Sequence, residues 1–278
     1  MTTAVLITGA SSGIGRATAE RLLARPGFTV YATARRTEAL ADLAAAGATV
    51  LALDVTDEES MAAAVRTVED RHGSVGVLVN NAGYGEYGTI EETGLDAVRR
   101  QFETNVFGFS RMIQLVLPGM RAAGSGRIVN IGSMGGRVTF PVGGYYHATK
   151  YAVEAITDAL RFEAAPFGLH TSLIAPGLIR TGFGATASRT MASSGQAAGP
   201  YAGLRAAADE QMATSYASPV LAAEPDAVAV AVEHAATARR PRARYTVTPA
   251  AKAIVQSRRF LGSGLFDAYL RLQFRSTK

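Results

Sequence analysis

The chain contains 278 residues, of which 48% are hydrophobic and 18% are charged, and it has neither cysteine nor tryptophan. A chain of this length can bury a substantial core in one large α/β domain without covalent cross-links. The lack of cysteine excludes disulfides, thiolate metal sites and a cysteine nucleophile, and we expect no metal centre.

The net charge of +5 is unevenly distributed along the chain. Residues 239–278 contain ten Lys or Arg residues and a single acid, Asp267, so this basic C-terminal extension carries a charge of +9. The other 18 basic and 22 acidic residues give residues 1–238 a net charge of −4. We expect no nucleic-acid partner, because the extension contains no recognised nucleic-acid-reading module.

The N-terminal segment MTTAVLITGA has neither a basic region nor a cleavage site of secretory type. No stretch of the chain approaches the ~20 apolar residues that a membrane-spanning helix needs. We therefore expect a cytoplasmic protein.

Short β-branched runs alternate with alanine-rich segments of helical period over the first two thirds of the chain. The apolar runs do not alternate with polar residues, which is typical of parallel strands buried on both faces. We predict strands at residues 4–8, 28–34, 49–54, 77–80, 127–131 and 169–175, and helices at residues 14–24, 38–45, 58–72, 95–121 and 145–165. This alternation indicates an α/β fold in which helices cover both faces of a parallel sheet.

Residues 182–224 are rich in Gly, Ala, Ser and Thr, and we predict a substrate lid or a long loop with short helices. Its larger side chains either line an apolar pocket or pack on the domain, and they are Phe183, Met191, Tyr201, Leu204, Met212 and Tyr216. A helix is predicted at residues 225–237 and a strand at 244–247. No linker divides the chain, so we predict a single domain over residues 1–278.

Residues 262–275 are predicted to form a last amphipathic helix. Its apolar stripe comprises Leu265, Phe266, Tyr269, Leu270 and Leu272, with Arg271, Arg275 and Lys278 outside it. Such a basic helix can lie on an anionic membrane surface, so residues 250–278 are a candidate for membrane contact. We favour packing of the stripe on its own domain or on a twin subunit.

A glycine-rich turn follows the first predicted strand and opens the first predicted helix. Gly9, Gly13 and Gly15 would permit a tight turn and a close approach of the backbone to a pyrophosphate at the helix N-terminus. An ordinary strand–helix turn is the alternative, since such motifs also occur without a nucleotide.

Polar residues follow the third and fourth predicted strands as well. Asp54 is placed to accept a hydrogen bond from an adenine amine, or it caps the next helix. Asn80, Asn81, Ala82 and Gly83 follow the fourth strand, at the edge where open α/β sheets bind their ligands. These residues either bind a nucleotide there or form hydrogen bonds with backbone groups of the loop.

The end of the second predicted strand bears on the choice of dinucleotide. An acidic residue at this place usually holds the ribose 2′-hydroxyl of NAD, yet the first carboxylate here is Glu38. Arg35 and Arg36 could instead pair with the 2′-phosphate of NADP, or they are two solvated arginines. We favour NADP(H) as the cofactor, with NAD(H) as the alternative.

Tyr146 and Lys150 are four residues apart, so they share one face of the predicted helix. An ammonium near a phenol favours the phenolate and would make Tyr146 a better acid–base group. Ser133, at the end of the fifth strand, could bond the oxygen atom of a carbonyl or alcohol undergoing reaction. Each residue also has an ordinary structural explanation, so the case depends on their combination. We interpret His147 as structural or substrate-facing and not catalytic.

Together these motifs make the chain resemble the short-chain dehydrogenases/reductases over about residues 4–181. The motifs are Thr8-Gly9-Ala10-Ser11-Ser12-Gly13-Ile14-Gly15, Asp54, Asn80-Asn81-Ala82-Gly83, Asn105, Ser133, Tyr146 with Lys150, and Pro176-Gly177 with Thr181. The resemblance implies a Rossmann-like, doubly wound sheet of about seven strands and hydride transfer between a nicotinamide and an alcohol or ketone.

The resemblance also implies roles for individual residues. It makes Tyr146 the general acid/base, Lys150 a ribose ligand that modulates the tyrosine pKa, and Ser133 the anchor of the substrate oxygen. Asn105 would hold a water of a proton relay, and Thr181 would orient the nicotinamide carboxamide. The remaining cofactor-binding residues would be Gly9, Ser11, Ser12, Gly13, Ile14, Gly15, Arg35, Arg36, Asp54, Asn81, Ala82, Gly83, Pro176 and Gly177.

We therefore expect an NADP(H)-dependent oxidoreductase that acts on a small lipophilic ketone or secondary alcohol, as a homodimer or homotetramer. Short stretches after residue 242 resemble the C-termini of family members that act on steroids and retinoids. The alternatives are a non-catalytic, NADP(H)-sensing binding protein and an enzyme of the same kind at a membrane surface.

Overall fold

The structure is a computed structural model that describes residues 2–195 and 198–274. Its strands are β1 (Thr3–Ile7), β2 (Phe28–Ala34), β3 (Thr49–Ala52), β4 (Val77–Asn80), β5 (Gly126–Ile131), β6 (Leu169–Pro176), β7 (Leu178–Ile179), β8 (Ala222–Ala223) and β9 (Arg244–Val247). Seven of them form one parallel sheet in the order β3-β2-β1-β4-β5-β6-β9, and β7 pairs with β8 in a small separate ladder. The Rossmann-like sheet inferred from the sequence is confirmed.

Helices cover both faces of this sheet. They are α1 (Gly13–Leu23), α2 (Ala41–Ala45), α3 (Glu58–His72), α4 (Leu95–Phe102), α5 (Phe109–Ala123), α6 (Gly144–Ala164), α7 (Gly182–Ser193), α8 (Ala202–Ala217), α9 (Pro225–Thr237) and α10 (Pro249–Gln273). A π-helical turn, Glu103–Gly108, joins α4 to α5, so the predicted helix at 95–121 is nearly continuous but changes its hydrogen-bond register. Short 3₁₀ turns occupy Thr37–Leu40, Met134–Gly136 and Ala165–Phe167.

Two apolar cores lie on opposite faces of the sheet, as the period of a strand requires. Leu6 of β1 points into a core shared with α3, α5 and α6. Its neighbours Val5 and Ile7 point into the other core, which α1, α2 and α9 cover. All three side chains are fully buried, which explains why this strand has no polar alternation in its sequence.

The ligand-binding edge of the sheet is set by its strand order. Strand β1 pairs with β2 on one side and with β4 on the other, so the chain reverses its direction of progress across the sheet at β1. In open α/β sheets a crevice forms at this point, beyond the carboxyl ends of the strands. The loops after β1 and β4 contain the glycine turn and the Asn-Asn-Ala-Gly segment.

Helix α9 completes the layer of helices next to α1, far away in sequence. Leu22 of α1 shares a core with Val228 and Val232 of α9. At the surface, Arg21 Nε donates to Glu233 Oε2 at 2.5 Å, and Arg25 Nη1 donates to the other carboxylate oxygen at 2.6 Å.

The C-terminal third is more helical than its composition indicates. The segment predicted as a lid or loop holds α7 and α8, and the last helix begins at Pro249, well before the predicted start at residue 262. Gly262 has φ 67° and ψ −176°, so it divides α10 into two halves at a kink. Arg275 and Lys278, predicted on the polar side of this helix, lie outside the described residues.

Candidate active site

The turn after β1 is shaped by its three glycines. Gly9 and Gly13 have φ values of +68° and +55°, which favour glycine. A Cβ atom on Gly15 would lie 2.4 Å from the Gly9 carbonyl oxygen and 2.6 Å from Asn81 Nδ2. Only glycine fits at these points, so the backbone can curl tightly ahead of α1, where helix N–H groups favour an anion.

Asn81 fastens this turn to the end of β4. Its Nδ2 atom donates to the carbonyl oxygens of Thr8 at 2.9 Å and Gly9 at 3.1 Å. Its backbone N–H and that of Ala82 both donate to Thr8 Oγ1 at 2.9 Å. The Asn81 side chain therefore satisfies loop backbone, and this network preorganises the walls of the crevice.

Asp54 and Arg35 lie at one end of the same crevice. Asp54 Oδ1 accepts hydrogen bonds from the N–H of Thr56 at 2.9 Å and from its hydroxyl at 2.8 Å. The cap of α3 is Asp57, so Asp54 is not the helix cap that its sequence position also allowed. Arg35 is exposed and lines the cavity, whereas Arg36 lies outside its lining.

Ser133, Tyr146 and Lys150 converge in the middle of the crevice. Ser133 follows β5, and its Oγ accepts a hydrogen bond from the Gly135 N–H at 2.9 Å. Tyr146 and Lys150 lie one turn apart on α6 and are buried. Lys150 Nζ donates to the Ile131 carbonyl oxygen at 3.0 Å, which anchors the ammonium to the strand that leads to Ser133.

Burial changes the acid–base properties of both residues on α6. Burial raises the pKa of Tyr146 to about 12, although a hydrogen bond with Ser133 opposes the rise. Burial also lowers the pKa of Lys150 to about 8, because the ammonium loses its hydration. The sequence-based expectation of a lowered tyrosine pKa is therefore not met in the protein alone, where Tyr146 is a neutral phenol able to donate a proton.

Asn105 lies behind the cavity and not in its wall. It is buried in the π-helical turn, and its Nδ2 donates to the Tyr84 carbonyl oxygen at 2.8 Å and to Thr149 Oγ1 at 3.2 Å. Its Oδ1 accepts from the Tyr84 N–H at 3.1 Å. These bonds make the Asn105 side chain a link between the loop after β4 and α6.

One continuous cavity of about 1270 Å³ contains most of the residues that the sequence singled out. Among the candidate catalytic and cofactor-binding residues, Gly15, Arg36, Asn80 and Asn105 lie outside its lining. Those that line it are Gly9, Ser11, Ser12, Gly13, Ile14, Arg35, Asp54, Asn81, Ala82, Gly83, Ser133, Tyr146, Lys150, Pro176, Gly177 and Thr181. The volume exceeds that of a typical pocket for one small molecule, so it can hold a dinucleotide and a second ligand.

The far end of the cavity is aromatic and apolar. The Tyr87 ring stacks on Tyr146 with centroids 5.5 Å apart, and Phe183 lies 5.2 Å from Tyr146 on another side. Met191, Met212 and Tyr216 line the cavity as the sequence indicated, and Leu270 and Phe274 of the α10 region also contribute.

Two of the larger side chains in residues 182–224 do not line the cavity. Tyr201 lies at the surface, where its hydroxyl donates to Glu91 Oε2 at 2.6 Å. Leu204 packs against the apolar cluster beside the cavity without lining the cavity. Tyr87 and Phe140 are lining residues that sequence reasoning missed; the aromatic residue soon after Asn-Asn-Ala-Gly was the available signal for Tyr87.

The family model described as short chain dehydrogenase matches residues 3–192. The chain belongs to this family. This chain is 41% identical over 180 residues to the 3-ketodihydrosphingosine reductase of Bacteroides thetaiotaomicron, and the match covers 64% of this chain and 65% of the relative. It is 44% identical over 192 residues to human 17-beta-hydroxysteroid dehydrogenase type 1, covering 65% of this chain and 58% of that protein. The matches thus span somewhat less than two thirds of these relatives.

Solved structures extend the similarity beyond the matched segment. A short-chain dehydrogenase/reductase of Burkholderia phymatum in complex with NAD has a TM-score of 0.78 at 27% identity, covering 100% of this chain and 97% of that one. A metagenomic short-chain oxidoreductase in complex with NADP has a TM-score of 0.69 at 27% identity, with 89% and 97% covered. Solved structures with this fold thus include one complex with NAD and one with NADP.

The helices in the described part of the chain are all too short or too polar to cross a bilayer. Within residues 2–195 and 198–274, His, Asp and Glu side chains form no group of three that could hold a metal ion.

Proposed function

We propose that the protein transfers a hydride between NADP(H) and a lipophilic ketone or secondary alcohol. The observation that carries this proposal is the shared cavity, in which Ser133, Tyr146 and Lys150 lie between the glycine turn and an apolar end. Bound at the glycine turn, the nicotinamide cofactor would supply the hydride. The protein would supply orientation and the movement of one proton.

The proposed roles follow from the hydrogen-bonding capacity of each group. Ser133 Oγ already accepts from the Gly135 N–H, so its own O–H proton can be donated to a substrate oxygen. Tyr146 is a neutral phenol and would deliver the proton that a developing alkoxide needs. In the reverse direction Tyr146 would accept the proton, with the Lys150 ammonium stabilising the phenolate.

An apolar substrate is proposed because Tyr146 belongs to a cluster of apolar side chains at this end of the cavity. Phe183, Met191, Met212 and Phe274 belong to this cluster, and they line the cavity together with Leu270. The names of the two relatives refer to a sphingoid base and a steroid, both of which combine a carbonyl or hydroxyl with a large hydrocarbon body. We propose a substrate of that general chemistry.

Turnover tests this proposal. The full chain, with NADPH or NADH, should reduce or oxidise members of a panel of steroid, long-chain and short aliphatic ketones and alcohols. Replacing Tyr146 with Phe should lower kcat about 10²- to 10⁴-fold without weakening cofactor binding. The matched control is Tyr145→Phe, since the neighbouring hydroxyl only reaches the Ile90 carbonyl at 3.4 Å. NADPH binding without any turnover would instead support a cofactor-sensing protein.

We also propose that α10 contacts an anionic membrane surface. Phe266 of the predicted apolar stripe is buried, but Leu265 and Leu272 are 64% and 62% exposed, and the preceding Phe260 is 78% exposed. Basic residues lie along the same helix, namely Lys252, Arg258, Arg259 and Arg271. Asp267 is the single acid on this helix, so its net charge is positive, and anionic lipid would accommodate both the exposed apolar and the basic side chains.

Sedimentation with phosphatidylserine-containing vesicles tests this surface. A Leu265→Ser, Leu272→Ser double variant should remain in the supernatant, whereas Phe162→Ser, which changes an exposed phenylalanine on α6, should sediment like the unsubstituted protein. Equal sedimentation of all three would contradict membrane contact. Loss of a homodimer or homotetramer in the double variant alone would assign the face to subunit contact instead.

A further inference from the structure

His147 follows Tyr146 on α6 and is buried beside it. The imidazole is 3% exposed and borders the same cavity. Its ring centroid lies 5.5 Å from that of Tyr146 and 5.8 Å from that of Phe140. Its side chain leaves the helix in a different direction from the phenol, toward the loop that follows Ser133.

A chain of hydrogen bonds runs from this imidazole to the Ser133 hydroxyl. His147 Nδ1 lies 3.0 Å from the carbonyl oxygen of Gly135. The N–H of the same Gly135 donates to Ser133 Oγ at 2.9 Å. Gly135 is thus held from both sides, by the residue after Tyr146 through its carbonyl and by Ser133 through its amide.

The chemistry of these groups fixes the tautomer. A carbonyl oxygen only accepts, so Nδ1 must carry the proton, and Nε2 of a neutral imidazole is then an acceptor. Nε2 is buried without a hydrogen-bond partner. Burial lowers the pKa of His147 to about 4 because the imidazolium would lose its hydration, although the hydrogen bond to Gly135 opposes the fall.

Two glycines make room for the ring. A Cβ atom on Gly135 would lie 2.6 Å from Nδ1, and one on Gly143 would lie 2.8 Å from Nε2. Both contacts are too close for any other residue unless the imidazole moves. The loop before α6 and the 3₁₀ turn after β5 are therefore both built around this side chain.

We infer that His147 is a positioning residue, which holds Ser133 in place relative to Tyr146 through the backbone of Gly135. This inference rests on the proposed function, since it assumes that Ser133 and Tyr146 act on one substrate oxygen. Without the Nδ1–H bond, the Met134–Gly136 turn would lose its tie to α6. The packing of Gly136 against Lys150 would remain, but the Gly135 carbonyl that fixes the turn beside Ser133 would have no donor from α6.

An isosteric pair of variants separates the hydrogen bond from the bulk of the ring. In His147→Asn the amide Nδ2 can take the place of Nδ1 and donate to Gly135, whereas in His147→Leu a side chain of the same shape has no donor. We expect kcat of the Leu variant to fall at least about tenfold, as loss of one fixed hydrogen bond of ~1.4 kcal/mol would cause. The Asn variant should retain more of kcat, and both should bind NADPH as the unsubstituted protein does.

The pH dependence of kcat distinguishes loss of the hydrogen bond from loss of packing, because loss of packing alone would not change it. The hydrogen bond with Ser133 lowers the Tyr146 pKa, so displacement of Ser133 should shift the pH dependence of kcat to higher pH in the Leu variant. The Asn variant should not show this shift. The other titratable groups near Tyr146 are Lys150, Tyr87 and Tyr216, and they are unchanged in both variants.

Two outcomes would overturn the inference while the proposed function stands. One is equal kcat and equal pH profiles of the Leu and Asn variants in an otherwise active protein. The other is an Nε2–H tautomer in the nitrogen shifts of the full chain labelled with ¹⁵N-histidine, which decides the matter even if the Leu variant does not fold. Absence of turnover in the unsubstituted protein would overturn the proposed function and, with it, the positioning role.

Discussion

Thr181 lies directly over Gly13: a Cβ atom added to Gly13 would come within 3.0 Å of Thr181 Cγ2. The first residue of α1 and the residue that caps α7 are therefore in close contact beside the glycine turn. This contact joins the glycine turn to the segment after β6, and it leaves no space for a side chain at position 13.

Gly13→Ala should weaken cofactor binding because of this contact. The positive φ adds about 1 kcal/mol of backbone strain, and relief of the clash would displace Thr181. We expect NADPH affinity to fall about tenfold or more, measured by NADPH fluorescence titration. Gly27→Ala is the control, because Gly27 has φ +92° with nothing within 4 Å of its added Cβ. It should lose stability without loss of affinity, and equal affinities of the two variants would contradict the prediction.

The two arginines after β2 should differ in their effect on cofactor choice. Arg35 lines the cavity and Arg36 does not, so only Arg35 is placed to bond a 2′-phosphate. A charged hydrogen bond of ~1.5–3 kcal/mol implies that Arg35→Asp weakens NADPH binding about 10- to 100-fold and leaves NADH affinity equal or higher. Arg36→Asp should change either affinity far less. Tighter binding of NADH than of NADPH by the unsubstituted protein would show that the cofactor preference is wrong.

Stability should decrease in mild acid because of His147. Its folded-state pKa of about 4 lies below the ordinary 6.5, so the unfolded chain binds more protons between these two pH values. The free energy of unfolding therefore falls as pH drops from about 6.5 to about 4, by about 3 kcal/mol for this group. Urea unfolding at pH 7, 5.5 and 4.5 should show a shallower pH dependence for His147→Asn. An Asn variant of the exposed His170 should keep most of the slope.

Lys150→Met should stabilise the cofactor-free protein while removing activity. The lowered Lys150 pKa, about 8 against 10.5, reflects a cost of about 3 kcal/mol for burying the ammonium. The Met variant also loses the hydrogen bond to the Ile131 carbonyl, which destabilises it by about 1 kcal/mol. We therefore expect the free energy of unfolding at pH 7 to rise by a net of about 1–2 kcal/mol. Because the folded state binds fewer protons between pH 8 and 10.5, the unsubstituted protein regains stability over that range and the gap should narrow. A destabilised Met variant at pH 7 would contradict this.

The residues that could be predicted from the sequence are those whose roles depend on local spacing. Tyr146 and Lys150 share a helix face because they are four residues apart, and the glycine turn needs only its own backbone angles. Asn105 has the expected neighbours in sequence, but the π-helical turn directs its amide toward Tyr84 and Thr149 and away from the cavity. A change of helical register by one residue is not visible in a hydrophobic pattern.

Long-range packing explains the other differences. Tyr87 meets Tyr146 only because the loop after β4 lies beside the start of α6, and nothing in the intervening residues indicates the stack. The first half of α10 is not evident from the sequence, because Gly262 separates its helical pattern from that of the last helix. Arg35 and Arg36 are equivalent in sequence, and only the exit angle of β2 distinguishes the one that borders the cavity.

The packing of α9 on α1 has a consequence for biosynthesis. Arg21 and Glu233 form an ion pair across 212 positions of the chain. At ~5–20 residues per second, a ribosome would take roughly 10–40 s to make the intervening segment. Throughout that interval the face of α1 that includes Leu22 lacks the cover of α9, so the N-terminal half carries an apolar surface that is partly open. Chaperone demand during translation should therefore depend on how soon residues 225–237 emerge.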